Sequence, residues 1–214
     1  MTELQWKTID SYNKSAHKFD STIAQLTNYD NTYDYLIDLL QDGDEVLDLA
    51  CGSGKISRYI SNKMRVNITG VDLSDEMMQL AKKHLKDAVF YKESIIDFKR
   101  KDKYHAVIIG FGIPYLDKGQ VEKCLQNAVE NTLEDKYLYI SFMNGNGSRL
   151  EKTSFGGACD FLLHYYEKDV VKQILINQNT TIIKEFELEY KEQDGSVTKD
   201  IVLIAKKNKT GVNA

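Results

Sequence analysis

The chain has 214 residues, 42% of them hydrophobic, and its 28 Lys/Arg against 32 Asp/Glu give a net charge of −4. That is enough chain for one α/β domain and hardly for two, and the acidic balance disfavours a nucleic-acid backbone as a standing partner, which needs a basic face. Cys51, Cys124 and Cys159 are too few and too far apart for a disulfide framework or a zinc site; with no apolar leader and no run of about eighteen apolar residues, a cytoplasmic chain without a membrane span is expected.

Residues 1–42 read as a helical cap ahead of a domain at 43–207. Trp6, Ile9, Tyr12, Ala16 and Phe19 recur at spacings of three and four, the stripe of an amphipathic helix. A second helix is expected from Asn31 to Leu40, with Tyr33, Leu36, Ile37 and Leu40 inward and Asp42-Gly43 ending it. Val46, Leu47 and Leu49 then form a short apolar run suited to a strand buried on both faces. Ala50, Cys51, Gly52, Ser53 and Gly54 follow, and a helix opens at Lys55 with Ile56, Tyr59 and Ile60 facing a core. Strand, small-residue turn and helix let a ligand lie against bare backbone at a helix N-terminus; the same residues also suit a tight turn with no ligand.

A second strand, Val66–Val71, ends in Asp72, 20 positions after Gly52. In a βαβ unit its carboxylate stands beside the first turn, where it suits a ribose diol. The alternative is that Asp72 or Ser74 only caps the helix expected over Asp75–Leu85. Val89–Tyr91 is a third strand, and the basic run Phe98–Lys103 reads as a solvated loop. Tyr104–Ile109 is the fourth strand, from whose carboxyl end Gly110–Leu116 leaves, with Gly110 and Gly112 allowing a ligand to approach and Pro114 stiffening the turn. A helix over Asp117–Leu133 and a fifth strand, Tyr137–Phe142, come next. Asn144–Ser148 reads as a flexible loop and residues 149–166, with Phe155, Gly156, Gly157, Phe161, His164, Tyr165 and Tyr166, form the least regular stretch; together, about 144–166, they read as a substrate-side insertion. After a helix over Glu167–Ile176, the runs Thr180–Lys191 and Val197–Lys206 flank Gln193-Asp194-Gly195-Ser196, a strong hairpin signal. The tail from Asn208 is expected to be disordered.

Val46-Leu-Asp-Leu-Ala-Cys-Gly-Ser-Gly54 resembles the first motif of class I S-adenosylmethionine-dependent methyltransferases, acidic-x-Gly-x-Gly-x-Gly, with Ala50 in place of the first glycine. Gly70-Val-Asp72-Leu-Ser resembles their second motif, whose acid holds the cofactor's ribose. The resemblance spans about residues 12–206, its specific part 46–116. It implies a Rossmann-like three-layer α/β/α fold, with a seven-stranded mostly parallel sheet and a C-terminal antiparallel hairpin. It also implies S-adenosylmethionine as cofactor, held by Ala50, Gly52, Gly54, Asp72, Leu73 and Gly110. Aligned by spacing, Ser94 takes the place of the acid that contacts adenine in that family and Ile95 supplies a backbone amide. The helix around Tyr12 is similar to the Tyr-rich helix with which small-molecule methyltransferases cover the cofactor; Tyr12 would then reach its methionine end and His17 or Phe19 the acceptor. Packing alone also accounts for these aromatics. A dinucleotide-binding unit shares the sheet and the acid, but its Gly-x-Gly-x-x-Gly fingerprint fails here, where Ser57 stands in the third glycine's place.

The chemistry so implied is transfer of a methyl group to a small-molecule acceptor. His164, Tyr115 and His17 are the candidate bases, His164 foremost; His84 and His105 read as structural. No metal constellation is visible. The loop after the fourth strand lacks the Asn/Asp-Pro-Pro-Tyr/Phe clamp of many nucleic-acid and protein N-methyltransferases, only Pro114-Tyr115 being similar. Two alternatives stay open: a nucleic-acid or protein methyltransferase, and a non-catalytic cofactor-binding regulator.

Overall fold

In the computed structural model, which describes residues 3–152, 160–191 and 197–210, the apolar runs become a single sheet because each is flanked by helices that cover it. The elements are α1 (Glu3–Ile23), α2 (Asp30–Ile37), β1 (Glu45–Leu49), α3 (Lys55–Ser61), β2 (Asn67–Asp72), α4 (Asp75–His84), β3 (Val89–Lys92) and β4 (Tyr104–Gly110). A short 3₁₀ turn at Ile113–Tyr115 leads to α5 (Lys118–Asn131), β5 (Thr132–Met143), β6 (Gly147–Lys152), β7 (Asp160–Tyr165), α6 (Lys168–Asn177), β8 (Thr180–Lys191) and β9 (Val197–Lys207). The seven-stranded sheet has the order β3-β2-β1-β4-β5-β9-β8. Its first five strands run parallel, and β9 returns antiparallel beside β5 and pairs with β8. This is the three-layer fold expected from the sequence.

Alternation along the central strands builds the two cores. Leu47, Leu49, Val107, Ile109, Leu138, Ile140 and Leu203 pack with Val121, Leu125 and Ala128 of α5 and Leu175 of α6 on one face. Val46, Ala106, Ile108, Tyr139, Val202 and Ile204 pack with Tyr33 and Leu36 of α2 and Ile56 and Ile60 of α3 on the other. Each fully buried Val, Leu or Ile of these faces contributes roughly 1.5–3 kcal/mol, which makes this burial the main stabilising term. The buried phenol of Tyr139 is satisfied by Thr32 Oγ1 at 2.9 Å.

Three expectations change. The described parts of the stretch at 149–166 are regular: β6 and β7 form an antiparallel ribbon with Ser148 opposite His164 and Leu150 opposite Leu162. Period-two burial of Phe161, Leu163 and Tyr165 is the reason. Residues 153–159, including Phe155, Gly156, Gly157 and Cys159, and the turn Gln193–Ser196 lie outside the described residues. Trp6 is 58% exposed rather than part of the inward stripe of α1. The chain beyond Asn208 is attached at its start, Asn208 N donating to Asn179 O at 2.9 Å and Thr210 N to Glu134 Oε1 at 3.2 Å.

Candidate active site

The carboxyl ends of β1, β2, β4 and β5 open into a cavity of about 760 Å³, the place where open α/β sheets hold ligands. The β1–α3 turn makes its floor. Ala50 and Gly52 both take left-handed backbone, φ 60° and 54°, which turns the chain sharply and costs Ala50 about 1 kcal/mol or more relative to a glycine. Gly52 N donates to Asp72 Oδ2 at 2.8 Å, and Ser74 N donates to Asp72 Oδ1 at 2.8 Å. Ser74 itself caps α4 by accepting from Met77 N at 3.2 Å. Asp72 is therefore not the helix cap; it ties the turn after β1 to the turn after β2 and faces the cavity. Burial raises its pKa, while the amides of Ser74 and Gly52 pull the other way.

Tyr12, Ala50, Gly52, Asp72, Leu73, Ser94, Ile95, Gly110 and Tyr115, all singled out in the sequence, line this one cavity. Gly54 does not: it is the left-handed residue ahead of α3, and a Cβ there would meet Leu85 Cδ1 at 3.1 Å. His164 is absent from the lining as well. It alternates with Leu163, which does line the cavity, and stacks on Tyr166 with ring centroids 6.4 Å apart. His17 is exposed on the far side of α1, whereas Tyr12 and Phe19, two turns apart, both face inward. Gly110 and Gly112 serve the protein's own packing, since a Cβ at Gly110 would lie 2.5 Å from Ile56 Cδ1 and one at Gly112 would lie 2.9 Å from Ala50 Cβ.

α1 and the β6–β7 ribbon close over the cavity through aromatics. Tyr12 meets Phe19, Tyr115 and Phe161 edge-on, with centroids 5.5, 5.5 and 5.1 Å apart, and the Tyr12 and Tyr115 hydroxyls share a hydrogen bond. Burial raises the pKa of both phenols, that of Tyr115 to about 12, so these hydroxyls stay protonated.

Several residues that matter here were not singled out in the sequence. Asp48, 2% exposed, lines the cavity and accepts from Ser57 Oγ at 2.6 Å. Burial pushes its pKa up to about 7 despite that bond. Ser57 thus stands where a dinucleotide fold needs glycine because its hydroxyl partners this buried acid. Lys55 Nζ donates to the carbonyls of Ile23, at 2.7 Å, and Leu26. It ties the end of α1 to the first residue of α3, and burial lowers its pKa to about 8. Asn127 Nδ2 donates to Ile95 O at 2.9 Å and Asn131 Nδ2 to Phe98 O at 3.1 Å, fixing the turn that carries Ser94 and Ile95. Two asparagines four apart on an otherwise apolar helix face were the signal for that pair.

A nucleoside-bearing cofactor fits this site. The bare backbone of Gly52 faces the cavity, a Cβ there meeting nothing closer than Phe19 Cε1 at 3.8 Å, and the half-buried Asp72 carboxylate stands beside it. Among the described residues no group of three or more His, Cys, Asp or Glu could hold a metal ion, and no helix is long and apolar enough to cross a membrane.

Comparison with known proteins agrees with this geometry. Residues 46–132 match the family model described as a methyltransferase domain. The chain is similar to a demethylmenaquinone methyltransferase of Thermotoga maritima, 35% identical over 71 residues, 32% of this chain and 31% of that protein. It is also similar to one of Chlamydia pneumoniae, 36% identical over 77 residues, 35% of this chain and 34% of that protein. The matched parts thus span about a third of the length of these curated relatives. A solved S-adenosylmethionine-dependent methyltransferase from Methanosarcina mazei superposes with a TM-score of 0.71 at 21% identity, covering 81% of this chain and 96% of that one. The Burkholderia thailandensis 1,6-didemethyltoxoflavin N1-methyltransferase, solved with 1,6-didemethyltoxoflavin and S-adenosylhomocysteine, has a TM-score of 0.72 at 15% identity over 95% of this chain and 88% of that one. Residues 46–132 therefore carry a methyltransferase domain, in the fold of the class I S-adenosylmethionine-dependent methyltransferases. S-adenosylmethionine is the cofactor of that class, in agreement with the two sequence motifs.

Proposed function

We propose that this class I methyltransferase domain binds S-adenosylmethionine and transfers its methyl group to a small-molecule acceptor, with residues 1–42 as a cap over residues 43–207. The observation that carries the reading is the Asp72 carboxylate, bound to the Gly52 amide on the wall of a cavity that continues past the ends of β4 and β5. Small-molecule acceptors are supported by the relatives' own names, which specify demethylmenaquinone and 1,6-didemethyltoxoflavin. A cytoplasmic setting belongs to the same proposal.

The bound cofactor would supply an activated methyl group on a sulfonium. Asp72 orients the ribose, the turn Ala50–Gly52 admits the cofactor's backbone-facing edge, and Ser94 and Ile95, pinned through Asn127, take the base. Tyr12, Phe19 and Tyr115, with Phe161 packed behind Tyr12, would exclude water from the methyl-bearing end of the cofactor. Holding the acceptor in line in a dry site is worth roughly 7–11 kcal/mol in favourable cases. Neither histidine proposed from the sequence lines the cavity, and Tyr115 keeps its proton; Tyr115 then acts as a hydrogen-bond donor and wall rather than as a base.

Calorimetric titration with S-adenosylhomocysteine tests the proposal. Saturable binding is expected, weakened tenfold or more in Asp72→Ala, about 1.4 kcal/mol. Unchanged affinity in a folded D72A variant refutes the assignment of Asp72.

A further inference from the structure

Among the described residues, Phe111 is the only aromatic one in left-handed backbone, with φ 55° in the turn that leaves β4. Glycines stand on both sides of it, yet neither takes the strained position. Gly110 and Gly112 serve packing against Ile56 and Ala50, and the one positive-φ site of the turn keeps a large ring. A bulky side chain there is an outlier, and such strain persists where the surroundings hold a residue in place for use. The surroundings do so here. The Phe111 amide donates to the buried Ser141 Oγ at 3.0 Å. Its ring is met edge-on by Tyr29, with centroids 5.3 Å apart and planes at 73°. Tyr29 is itself buried and donates its hydroxyl to Asp200 Oδ2 at 2.5 Å. Asp200 is 3% exposed and taken up by contacts within the protein, so its part is to hold Tyr29, as Tyr29 holds Phe111.

The clamped ring stands where the acceptor belongs. In the order β3-β2-β1-β4-β5, the turn with Ser94 and Ile95 follows β3 and Asp72 ends β2. A cofactor with its base at the first and its ribose at the second directs its sulfonium end toward β4. Phe111 lies two strand spacings beyond Asp72, roughly 10 Å across the sheet, and lines the same cavity with Met143 at the end of β5 and Leu163 of the ribbon. The charged groups on this side already have partners. The two lysines of the described lining are Lys123, in an exposed pair with Asp97 at 3.0 Å, and Lys55, committed to the carbonyls of Ile23 and Leu26. Asp48 accepts from Ser57, Asp117 caps α5 through the Gln120 amide, and Asp200 holds Tyr29. A charged acceptor would lose its hydration here without gaining a counter-charge, whereas a flat apolar ring would gain an aromatic face and the thioether of Met143.

We propose that the Phe111 ring, clamped by Tyr29, is the platform on which a flat, uncharged aromatic acceptor lies for methyl transfer. This platform rests on the methyltransferase reading above and adds the acceptor's chemical class and the residue that selects it. Phe111 touches the acceptor; Tyr29 and Asp200 are positioning residues that act through it.

The test is calorimetric titration of the full chain, with and without saturating S-adenosylhomocysteine. The probes are 2-naphthol, its saturated analogue decahydro-2-naphthol, 2-naphthoate and 2-naphthylmethylammonium. 2-Naphthol is expected to bind at least fivefold tighter than the saturated analogue, whose puckered rings cannot lie flat on Phe111, and at least tenfold tighter than either charged probe. Phe111→Leu keeps an apolar side chain and removes the aromatic face. It should weaken 2-naphthol about fivefold while decahydro-2-naphthol and S-adenosylhomocysteine stay within twofold. Tyr29→Phe should lower the preference for 2-naphthol over its saturated analogue two- to threefold, a ratio that a purely structural loss would leave unchanged. The four-probe comparison in the parent decides the matter if F111L does not fold. Equal binding of 2-naphthol and its saturated analogue, tighter binding of a charged probe, or binding of none overturns the proposal. So does a folded F111L that holds 2-naphthol as the parent does, or one that loses S-adenosylhomocysteine in step with it, which would make Phe111 part of the cofactor's wall. Failure of S-adenosylhomocysteine to bind, with the preference for 2-naphthol intact, overturns the methyltransferase reading and leaves the aromatic platform standing.

Discussion

Asp48 gives the sharpest quantitative prediction. Its carboxyl is buried against Ser57, and burial lifts its pKa from 3.8 to about 7. The folded protein therefore holds a proton on Asp48 that the unfolded chain has already lost above about pH 4. With the unfolded state binding one proton fewer, stability falls by about 1.4 kcal/mol per pH unit as pH rises from about 4 to about 7, and is level above that. Between pH 5 and pH 8 this one group removes about 3 kcal/mol. Full burial means that solvent screening calls for little discount. Asp48→Asn keeps the size and an oxygen acceptor for Ser57 but cannot ionise, so its stability should lack this component. Urea unfolding of the parent and D48N at pH 5, 6, 7 and 8 measures it directly: the difference between them should move by about 3 kcal/mol in favour of D48N across that range. Parallel curves would show that Asp48 ionises normally in the folded state and that the site is wetter than its burial indicates.

Other outcomes follow from single contacts. Gly112→Ala should lower stability by about 1–3 kcal/mol, because its Cβ would sit 2.9 Å from that of Ala50. The double variant Ala50→Gly/Gly112→Ala should recover most of the loss, since it removes both the clash and the left-handed alanine; a thermal-unfolding double-mutant cycle with no coupling contradicts this packing. Lys55→Met should cost about 1–3 kcal/mol by leaving the carbonyls of Ile23 and Leu26 without their ammonium. Faster hydrogen exchange at the C-terminal end of α1 is the expected sign, and exchange like the parent's argues against the tie. His164→Ala should leave methyl transfer within about twofold, below about 0.4 kcal/mol, because the ring stacks on Tyr166 outside the cavity lining; a loss of a hundredfold in kcat would restore it as a base.

The sequence by itself determined the frame. Short-range patterns carried it: the buried run at 46–49, the small residues at 50–54, and an acid 20 positions on at Asp72. In a βαβ unit these positions are adjacent by geometry, so motif spacing is already a statement about space. The hairpin Thr180–Lys207 at the sheet edge was legible for the same reason, alternation and a turn being local. The tertiary structure alone decided which side chains share a wall. His164 and Leu163 are neighbours in sequence and face opposite ways in β7. Asp48, the acid of the first motif, and Ser57, in the place of a dinucleotide fold's third glycine, are both visible in the sequence, but only folding makes them a buried hydrogen-bonded pair. Tyr29 and Asp200, 171 positions apart, meet only because β9 turns back antiparallel against β5. Contacts between elements that no local pattern links depend on strand order, and strand order is set by the burial of both faces of the whole sheet at once.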